Sequence, residues 1–311
     1  MNTVTLNTGR SKLTSDIYRN RYLYLLILPS LVFFLVFSYA PMYGIILAFK
    51  KFRYDTGISH SPWVGLENFR TILHTRDFWR AMRNTVIISA GKIVFVFPIP
   101  IIMALFLNEL KNDRFKRVTQ LVLYLPHFLS WIVIAGLIFN LFSVTNGVVS
   151  KVLVGVFDID PIRVIGNPKF FRPLIYLSDI WKDAGWGTII YLAALSGVDP
   201  NLYEAAEIDG AGRFQKIFFI TIPSLSFAIA VTFILQIGNM MNAGFDQIFN
   251  LYDPSVYNVG DIVDTYVYRI GIQNARFEQS TAIGLFKAVI NAGMLLLANW
   301  GTKRMGQEGL Y

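Results

Sequence analysis

The stretch from Tyr203 to Pro223, YEAAEIDGAGRFQKIFFITIP, places acidic, small and basic residues between two strongly apolar runs. The Asp-Pro pair at 199–200 is a helix start signal, and Gly210 supplies a left-handed turn at the helix end. Glu204 and Glu207 are near the helix N-terminus, where a carboxylate is favourable and free to meet a cation. One face of the helix carries Leu202, Ala205, Ala206 and Asp209. Residues of these types in this pattern suit recognition of another protein's surface rather than catalysis of a reaction.

A second short helix is predicted from Arg213 to Ile220, leading to Pro223 at the mouth of the next apolar run. The segment 199–223 would then be a helix–turn–helix that lies flat at a membrane surface. An alternative stays open at this point, in which the segment is a connector that only caps the helices on either side.

Residue types that carry catalysis or bind metals are absent or scattered. The chain has no cysteine, which excludes disulfides, thiolate metal sites and cysteine nucleophiles. The histidines, at 60, 74 and 127, form no HExxH motif, and neither G-x-S-x-G nor G-x4-G-K-[ST] occurs. We predict that the chain is not an enzyme and binds no cofactor or metal itself.

Composition indicates an integral membrane protein. Of the 311 residues, 54% are hydrophobic and 15% are charged, whereas a soluble domain carries about a quarter charged residues. Mean hydropathy is +0.48, and the net charge of +8 gives a pI near 9.5. The basic residues lie mainly between the apolar runs, where they meet anionic lipid head groups. We therefore predict a lipid bilayer as partner and no nucleic acid.

Six apolar runs are long enough to cross a bilayer, which takes roughly 20 mostly apolar residues. The predicted spans are 22–49, 84–108, 118–142, 174–197, 220–245 and 282–301. The first is too long for a signal peptide and is interpreted as a retained anchor. The prediction is an all-α polytopic membrane protein with a transmembrane domain at 22–301. Tails at 1–21 and 302–311 share one side, and the density of basic residues, highest in loop 109–117, favours the cytoplasm.

The spacing within 203–223 resembles a known motif. Glu204-Ala205-Ala206, three residues, Gly210, nine residues and Ile220-x-Ile222-Pro223 follow the EAA motif of permease subunits of binding-protein-dependent ABC importers. That motif reads EAA-x3-G-x9-I-x-L-P, and this chain departs from it by Ile222 in place of Leu. VGLENF and AGWGTIIYLAALSGVDPNLYEAAEIDGA resemble the sugar branch of those permeases. FSYAPMYGIILAFKKF, MNAGFDQIFNLYDP and DTYVYRIG are similar to its LplB-type polysaccharide or oligosaccharide group.

The resemblance implies a type I ABC importer permease fold with six transmembrane helices, in the plasma membrane of a bacterium, with Gram-positive bacteria favoured. It implies as partners a second homologous permease, two ATP-binding subunits that hold ATP and Mg, an extracellular sugar-binding lipoprotein and an oligosaccharide. It also implies an ATPase-coupling site in the loop 199–223. The residues assigned to that site are Glu204, Ala205, Ala206, Asp209, Gly210, Ile220 and Pro223.

Polar side chains within apolar runs are costly enough to suggest a function. Under the resemblance, hydrogen-bonding and aromatic side chains would line a sugar path. The candidates are Trp131, Asn291 and a polar stripe predicted on the fifth span, formed by Gln236, Asn239, Asn242 and Asp246. The competing interpretation is that these amides hydrogen-bond between helices. A secondary transporter or channel for a small polar solute is the alternative function, and it leaves the EAA spacing unexplained.

Overall fold

The computed structural model describes residues 18–157 and 160–304, and this part of the chain is predominantly helical. Within those residues, β pairing is limited to an isolated bridge between Lys50 and Trp63. The all-α prediction is therefore confirmed. The predicted tails, 1–21 and 302–311, lie for the most part outside the described residues.

Four helices of the described chain are each long and apolar enough to cross a membrane: Arg21–Phe49, Arg76–Asn108, Arg213–Gly238 and Phe277–Arg304. We call them the first, second, fifth and sixth spans. The second and fifth begin seven or eight residues before the predicted runs, and the fifth ends at 238 rather than 245. Polar residues at a helix end lower local hydropathy without interrupting the hydrogen-bonded helix, so apolar runs mark helix ends poorly.

Prolines shape three of these spans in the same way. π-helical turns at Leu35–Tyr39, Lys92–Val96 and Ile217–Thr221 each end two residues before a proline, at 41, 98 and 223. The residue preceding each proline donates its N–H to the carbonyl five residues back. A proline ring clashes with the carbonyl four residues back and has no N–H to donate, and the wider turn accommodates it within a continuous helix. The flanking pieces are Arg21–Phe34, Ala40–Phe49, Arg76–Gly91, Pro98–Asn108, Arg213–Lys216 and Ile222–Gly238.

The predicted third span, 118–142, is wrong as a single helix. The chain forms a helix at Asp113–Tyr124, a 3-10 turn at Leu125–Phe128 and a second helix at Trp131–Phe142, with a 98° bend between the two halves. Pro126 lies in the turn, and the Ser130 hydroxyl accepts a hydrogen bond from the Val133 N–H at 3.3 Å. Turn and cap signals thus interrupt an apolar run.

The helix Pro168–Ser196 covers the predicted fourth span and, at 29 residues, is long enough to cross a bilayer. We call it the fourth helix. It falls outside the set of apolar spans because it carries Lys169, Arg172, Asp179, Lys182 and Asp183. Together with the four apolar spans and the bent pair it is compatible with the predicted six. The shorter elements are Gly57–His60, Glu67–Leu73, Val148–Phe157, Pro200–Ile208, Met240–Asn242, Phe245–Leu251, Pro254–Val256, Tyr257–Gly260, Val263–Tyr268 and Arg269–Gln273.

The short helices between the fifth and sixth spans pack into the bundle around a buried carboxylate. The Asp261 side chain is fully buried and accepts hydrogen bonds from Arg269 Nη1 at 3.0 Å and Thr265 Oγ1 at 2.9 Å. Burial opposes the charge of Arg269, but the hydrogen bonds and charge of Asp261 raise the pKa of its guanidinium above the ordinary value. Asn84 of the second span donates to the Asp261 carbonyl and accepts from Arg172 of the fourth helix. These contacts tie four elements together at one end of the bundle.

Candidate functional site

The helix Pro200–Ile208, which we call the EAA helix, begins where the sequence predicts. Asp199 accepts a hydrogen bond from the Asn201 N–H at 3.0 Å, and Pro200 occupies the first helical position. Asp199 satisfies one of the donors left free at a helix start, and a proline loses no hydrogen bond there. The fourth helix ends at Ser196, so only three residues separate the two helices.

Gly210 closes the EAA helix with a left-handed residue. Its φ is +79°, its N–H donates to the Glu207 carbonyl at 3.1 Å, and the Ala211 N–H donates to the Ala206 carbonyl at 2.8 Å. These two bonds form a Schellman motif, which satisfies carbonyls left free at a helix end. A Cβ on Gly210 would meet no atom within 4 Å. Glycine is therefore required here for its backbone conformation and not for space.

The predicted second short helix, Arg213 to Ile220, is not separate, and a helix–turn–helix lying flat is wrong in its second half. Arg213–Lys216 continues through the π turn Ile217–Thr221 into the fifth span as one helix ending at Gly238. Pro223 causes that turn, as described above, and Ile220 lies half-buried within it. The fifth span therefore begins at the turn that follows the EAA helix.

Two side-chain contacts fix the EAA helix to the start of the fifth span. The Tyr203 hydroxyl lies 3.1 Å from Thr221 Oγ1, and Thr221 is buried. Thr221 donates its own hydrogen to the Lys216 carbonyl, so Tyr203 is the donor of the pair. Lys216 Nζ bonds to Glu207 Oε2 at 3.1 Å. Glu207, predicted to be free to meet a cation, is thus paired within the chain.

The EAA helix presents two exposed carboxylates without a partner in the described part of the chain, Glu204 on the helix and Asp209 at its end. Glu204 and Ala205 are exposed, and no hydrogen bond or ion pair involves the Glu204 side chain. Two large apolar side chains of the same segment are largely exposed, Ile208 with 87% and Phe214 with 78% of its surface. Sequence patterns did not single out these two residues, although apolar residues within a polar stretch are a usable signal.

The polar stripe predicted on the fifth span is wrong. The helix ends at Gly238, a 3-10 turn follows at Met240–Asn242, and Ala243 and Gly244 have φ values of 44° and 93°. The next helix begins at Phe245. The four stripe residues, Gln236, Asn239, Asn242 and Asp246, are therefore spread over three elements.

Three of the six predicted path residues serve this break instead. Asn242 Nδ2 donates to Asn239 Oδ1 at 3.1 Å, and Asn291 of the sixth span accepts from the Met241 N–H at 3.1 Å. Backbone groups freed by a helix break need such partners inside a membrane. Two other candidates also lie apart from the cavity described next. Asp246 is exposed in the first turn of Phe245–Leu251, and the Trp131 ring packs under Lys182 Nζ.

Gln236 is the predicted path residue that lines a cavity. The cavity has a volume of about 310 Å³ and lies between the second span, the fourth helix and the fifth span; we call it the mid-span cavity. Its polar lining groups are Asp179, Asp183, Tyr191, Thr232 and Gln236, and Phe97 and Pro100 contribute apolar surface. The fourth helix supplies most of the polar groups, and sequence patterns did not assign them to a path.

The charged residues beside the mid-span cavity are paired across helices. Lys92 Nζ lies 2.9 Å from Asp179 Oδ2 and donates to Gln247 Oε1 at 2.7 Å. Asp183 Oδ1 lies 2.7 Å from Nδ1 of His127, in the turn of the bent pair. These contacts join the second span, the bent pair and Phe245–Leu251 to the fourth helix, as is expected where ionisable groups lie within a membrane.

Comparison with known proteins gives a consistent result. A family model described as binding-protein-dependent transport system inner membrane component matches residues 96–306. The polygalacturonan/rhamnogalacturonan transport system permease protein YteP of Bacillus subtilis is 41% identical over 302 residues, covering 97% of this chain and 94% of that protein. Protein LplB of Bacillus subtilis is 41% identical over 293 residues, covering 94% and 92%. A chain of a bacterial alginate ABC transporter, crystallised with an alginate pentasaccharide-bound periplasmic protein, superimposes with a TM-score of 0.88 at 37% identity, covering 96% of this chain and 100% of that one.

Proposed function

The chain belongs to the binding-protein-dependent transport system inner membrane components, the permeases of sugar ABC importers, and we propose that it forms part of an oligosaccharide path that separate ATPase subunits drive through the EAA helix. Membership of this family confirms the predicted type I permease fold and the prediction of a transport subunit rather than an enzyme. The observation that carries the proposed coupling is the exposed EAA helix, whose Glu204 has no partner among the described residues while the other side of the helix is tied to the fifth span.

The exposed face of the EAA helix suits docking into a groove of an ATPase subunit. Glu204 offers a carboxylate to an arginine or lysine of that subunit, and a hydrogen bond to a charged group contributes roughly 1.5–3 kcal/mol. Ala205 lets the two backbones approach closely. Ile208 and Phe214, both largely exposed, would lose their contact with water on docking. A helix that inserts into a groove is a common mode of protein recognition.

Movement of the EAA helix would reach the mid-span cavity through the fifth span. Tyr203 and Glu207 connect the helix to Thr221 and Lys216, at the beginning of that span. The span then continues as one helix to Gly238 and carries Thr232 and Gln236 into the cavity wall. Rigid-body movement of the docked subunits would therefore open and close the path, as in alternating access.

The assembly that we propose follows the sequence expectations. The transmembrane domain at 22–301 pairs with a second homologous permease, and two ATP-binding subunits hold ATP and Mg. An extracellular sugar-binding lipoprotein delivers the oligosaccharide, and both termini lie in the cytoplasm, in the plasma membrane of a Gram-positive bacterium. The periplasmic protein named with the alginate transporter and the Bacillus subtilis relatives support this assignment. No residue of Arg21–Phe34 is buried within the chain, which leaves that helix to lipid or to the second permease.

The decisive variant is Glu204→Ala in the complete transporter, with Glu67→Ala as its control. Glu67 is also an exposed helical glutamate, but it lies in another segment of the chain, before the second span. We expect Glu204→Ala to weaken co-purification of the ATPase subunits about tenfold or more, which corresponds to about 1.4 kcal/mol, and to abolish sugar-stimulated ATP hydrolysis. The permease pair and the control should be unaffected. Unchanged association and transport in Glu204→Ala would make the segment a connector, and transport without ATPase subunits would favour a secondary transporter.

A further inference from the structure

Three basic side chains in the loop after the second span have no partner within the described part of the chain. Lys111, Arg114 and Arg117 are exposed, and their side chains take part in no hydrogen bond or ion pair there. The acidic residues of the same loop, Glu109 and Asp113, do not pair with them either. The charge of these three residues is therefore available to a group outside the chain.

Two lysines within the spans are held differently. Lys92 Nζ lies 2.9 Å from Asp179, and Lys287 Nζ lies 2.5 Å from Asp264. The fold thus neutralises these cations itself and leaves those of the loop without a counter-ion. Basic loops are usual on the cytoplasmic side of membrane proteins, so the residues that follow the loop decide whether a binding site is present.

The basic surface continues as exposed apolar surface along the helix Asp113–Tyr124. Arg114, Val118, Leu121 and Leu125 follow one another at intervals of three or four residues, the spacing of one helix face. The apolar residues on this face and at its margin are all exposed: Val118, Leu121, Val122 and Leu125. We call these four residues and the three basic ones the 111–125 face. Its cationic end and apolar remainder match the charged head group and the acyl chains of a phospholipid.

The opposite side of that helix packs against the fourth helix. A Cβ on Gly185 would overlap the Leu123 carbonyl, so the two backbones are in close contact. The centroid of the Tyr124 ring lies 6.5 Å from that of the Trp186 ring. No side chain of Asp113–Tyr124 is buried. The 111–125 face is therefore the side that the described bundle leaves uncovered.

We propose that the 111–125 face is a binding site for an anionic phospholipid, whose head group meets the three basic residues and whose acyl chain lies along the apolar ones. A guanidinium group binds phosphate oxygens through two parallel hydrogen bonds, and the face offers two, on Arg114 and Arg117. Each basic residue near a membrane surface adds attraction for anionic lipid. A lipid of net negative charge is therefore preferred over a zwitterionic one.

The length of the face and its place in the bundle fit a lipid of one leaflet. From Arg114 to Leu125 the helical rise is about 16 Å, close to half of the roughly 30 Å hydrocarbon core. Ala104, near the end of the second span, and Leu195, at the end of the fourth helix, belong to one buried apolar cluster. The basic end of the face therefore lies at the same end of the bundle as the EAA helix, and the lipid belongs to that leaflet.

Because the chain has no cysteine, a single label can report on this face. Val122→Cys carries a bimane fluorophore in the complete transporter, with exposed cysteines of the partner subunits replaced. The nanodiscs contain equal amounts of phosphatidylglycerol and phosphatidylcholine, and either one or the other is brominated on its acyl chains as the quencher. The ratio of the two quenching values gives the local lipid preference and is independent of the depth of the label. We expect phosphatidylglycerol to be preferred at least fivefold.

Val289→Cys is the matched control. Val289 lies on the sixth span and has 66% of its surface exposed, against 63% for Val122. The basic residue within two turns of it, Lys287, is paired with Asp264, so its ratio should be close to one. A ratio close to one at Val122 would overturn the proposal. Absence of quenching at Val122 by either lipid would also overturn it, because another subunit would then cover the face.

Charge variants assign the preference to the three basic residues. A triple glutamine variant at 111, 114 and 117 loses no side-chain contact within the described chain and should lower the ratio at Val122 to that at Val289. A triple glutamine variant at 51, 70 and 76 removes an equal charge from exposed basic residues elsewhere and should leave the ratio unchanged. Salt at about 1 M, where the screening length is about 3 Å, should also lower it. An unchanged ratio in the first variant would overturn the proposal, and since the measurement needs neither sugar nor ATP, its outcome is independent of the proposed function.

Discussion

Replacing Gly210 tests whether the shape of the turn after the EAA helix matters for coupling. Its φ of +79° lies in the left-handed region, which costs a residue with a Cβ about 1–2 kcal/mol. A Cβ would contact no atom within 4 Å, so an alanine adds no steric clash with the surroundings. The whole effect of Gly210→Ala is therefore conformational and should be about 1–2 kcal/mol.

Two further substitutions of Gly210 extend the series, one milder than alanine and one more severe. Asparagine tolerates the left-handed region better than alanine, so Gly210→Asn should be the mildest change. Proline fixes φ near −65° and removes the N–H that donates to the Glu207 carbonyl at 3.1 Å. Gly210→Pro should therefore unwind the helix end, at a cost of about 3 kcal/mol or more. The expected order of activity is wild type, Asn, Ala and Pro.

Gly212 provides the matched control, because it is only two residues away but has an ordinary backbone conformation. Its φ is −71°, and a Cβ there would lie 3.7 Å from the Gln215 side chain, an ordinary contact. Gly212→Ala should keep full activity. The assay is sugar-stimulated ATP hydrolysis by the complete transporter in nanodiscs, together with co-purification of the ATPase subunits. Thermal unfolding of the permease pair shows whether the variants remain folded.

Two results would refute this reasoning. The first is a Gly210→Pro transporter with wild-type stimulation, which would mean that the left-handed turn has no part in coupling. The second is equal damage from Gly212→Ala and Gly210→Ala, which would point to a general intolerance of side chains in this loop rather than to the φ angle.

Three further substitutions test individual contacts. Tyr203→Phe removes the hydrogen bond to Thr221 and should weaken the link by roughly 0.5–1.5 kcal/mol, seen as reduced stimulation of ATP hydrolysis at unchanged ATPase binding; full stimulation would contradict it. Asp261→Asn removes the buried partner of Arg269 and should destabilise the protein by about 3 kcal/mol, measured as a lower midpoint of thermal unfolding; an unchanged midpoint would show the pair to be dispensable. Gly244→Ala places a Cβ 2.6 Å from Lys92 Nζ at a φ of +93° and should also lower that midpoint. An unchanged midpoint would show that the break after the fifth span is not held in this conformation.

Local signals in the sequence predict the EAA helix well. The Asp-Pro pair at 199–200 and Gly210 each act on the helical turn next to them, one at the start and one at the end, and the structure has the helix between them. The same kind of local signal is concealed inside a long apolar run, and for that reason the breaks in the third and fifth predicted spans were not predicted. Pro126 and Ser130 lie within an apolar run, and hydropathy averaged over some 20 residues conceals a turn of four.

The mid-span cavity could not be predicted from one sequence, because its groups meet only through tertiary packing. Asp179 and Asp183 are neighbours of Lys182 along the chain, so a local ion pair is the natural interpretation. In the structure Lys182 and Asp183 do form a local pair, at 3.8 Å, whereas Asp179 pairs with Lys92 of another span, 87 residues away. Which side of the fourth helix faces a cavity depends on the two spans packed against it, and hydropathy along one helix carries no such information.

The fixed distance between the beginning and the end of the EAA motif has a physical explanation in the Tyr203–Thr221 contact. Pro223 sets the π turn in which Ile222 donates to the carbonyl five residues back, and that turn places Thr221. Tyr203, directly before Glu204, bonds to Thr221 and closes a loop of chain around Gly210. A residue inserted into or deleted from this loop would break that contact. Pro223 therefore acts on the EAA helix from a distance, by fixing where the fifth span holds the helix that carries Glu204.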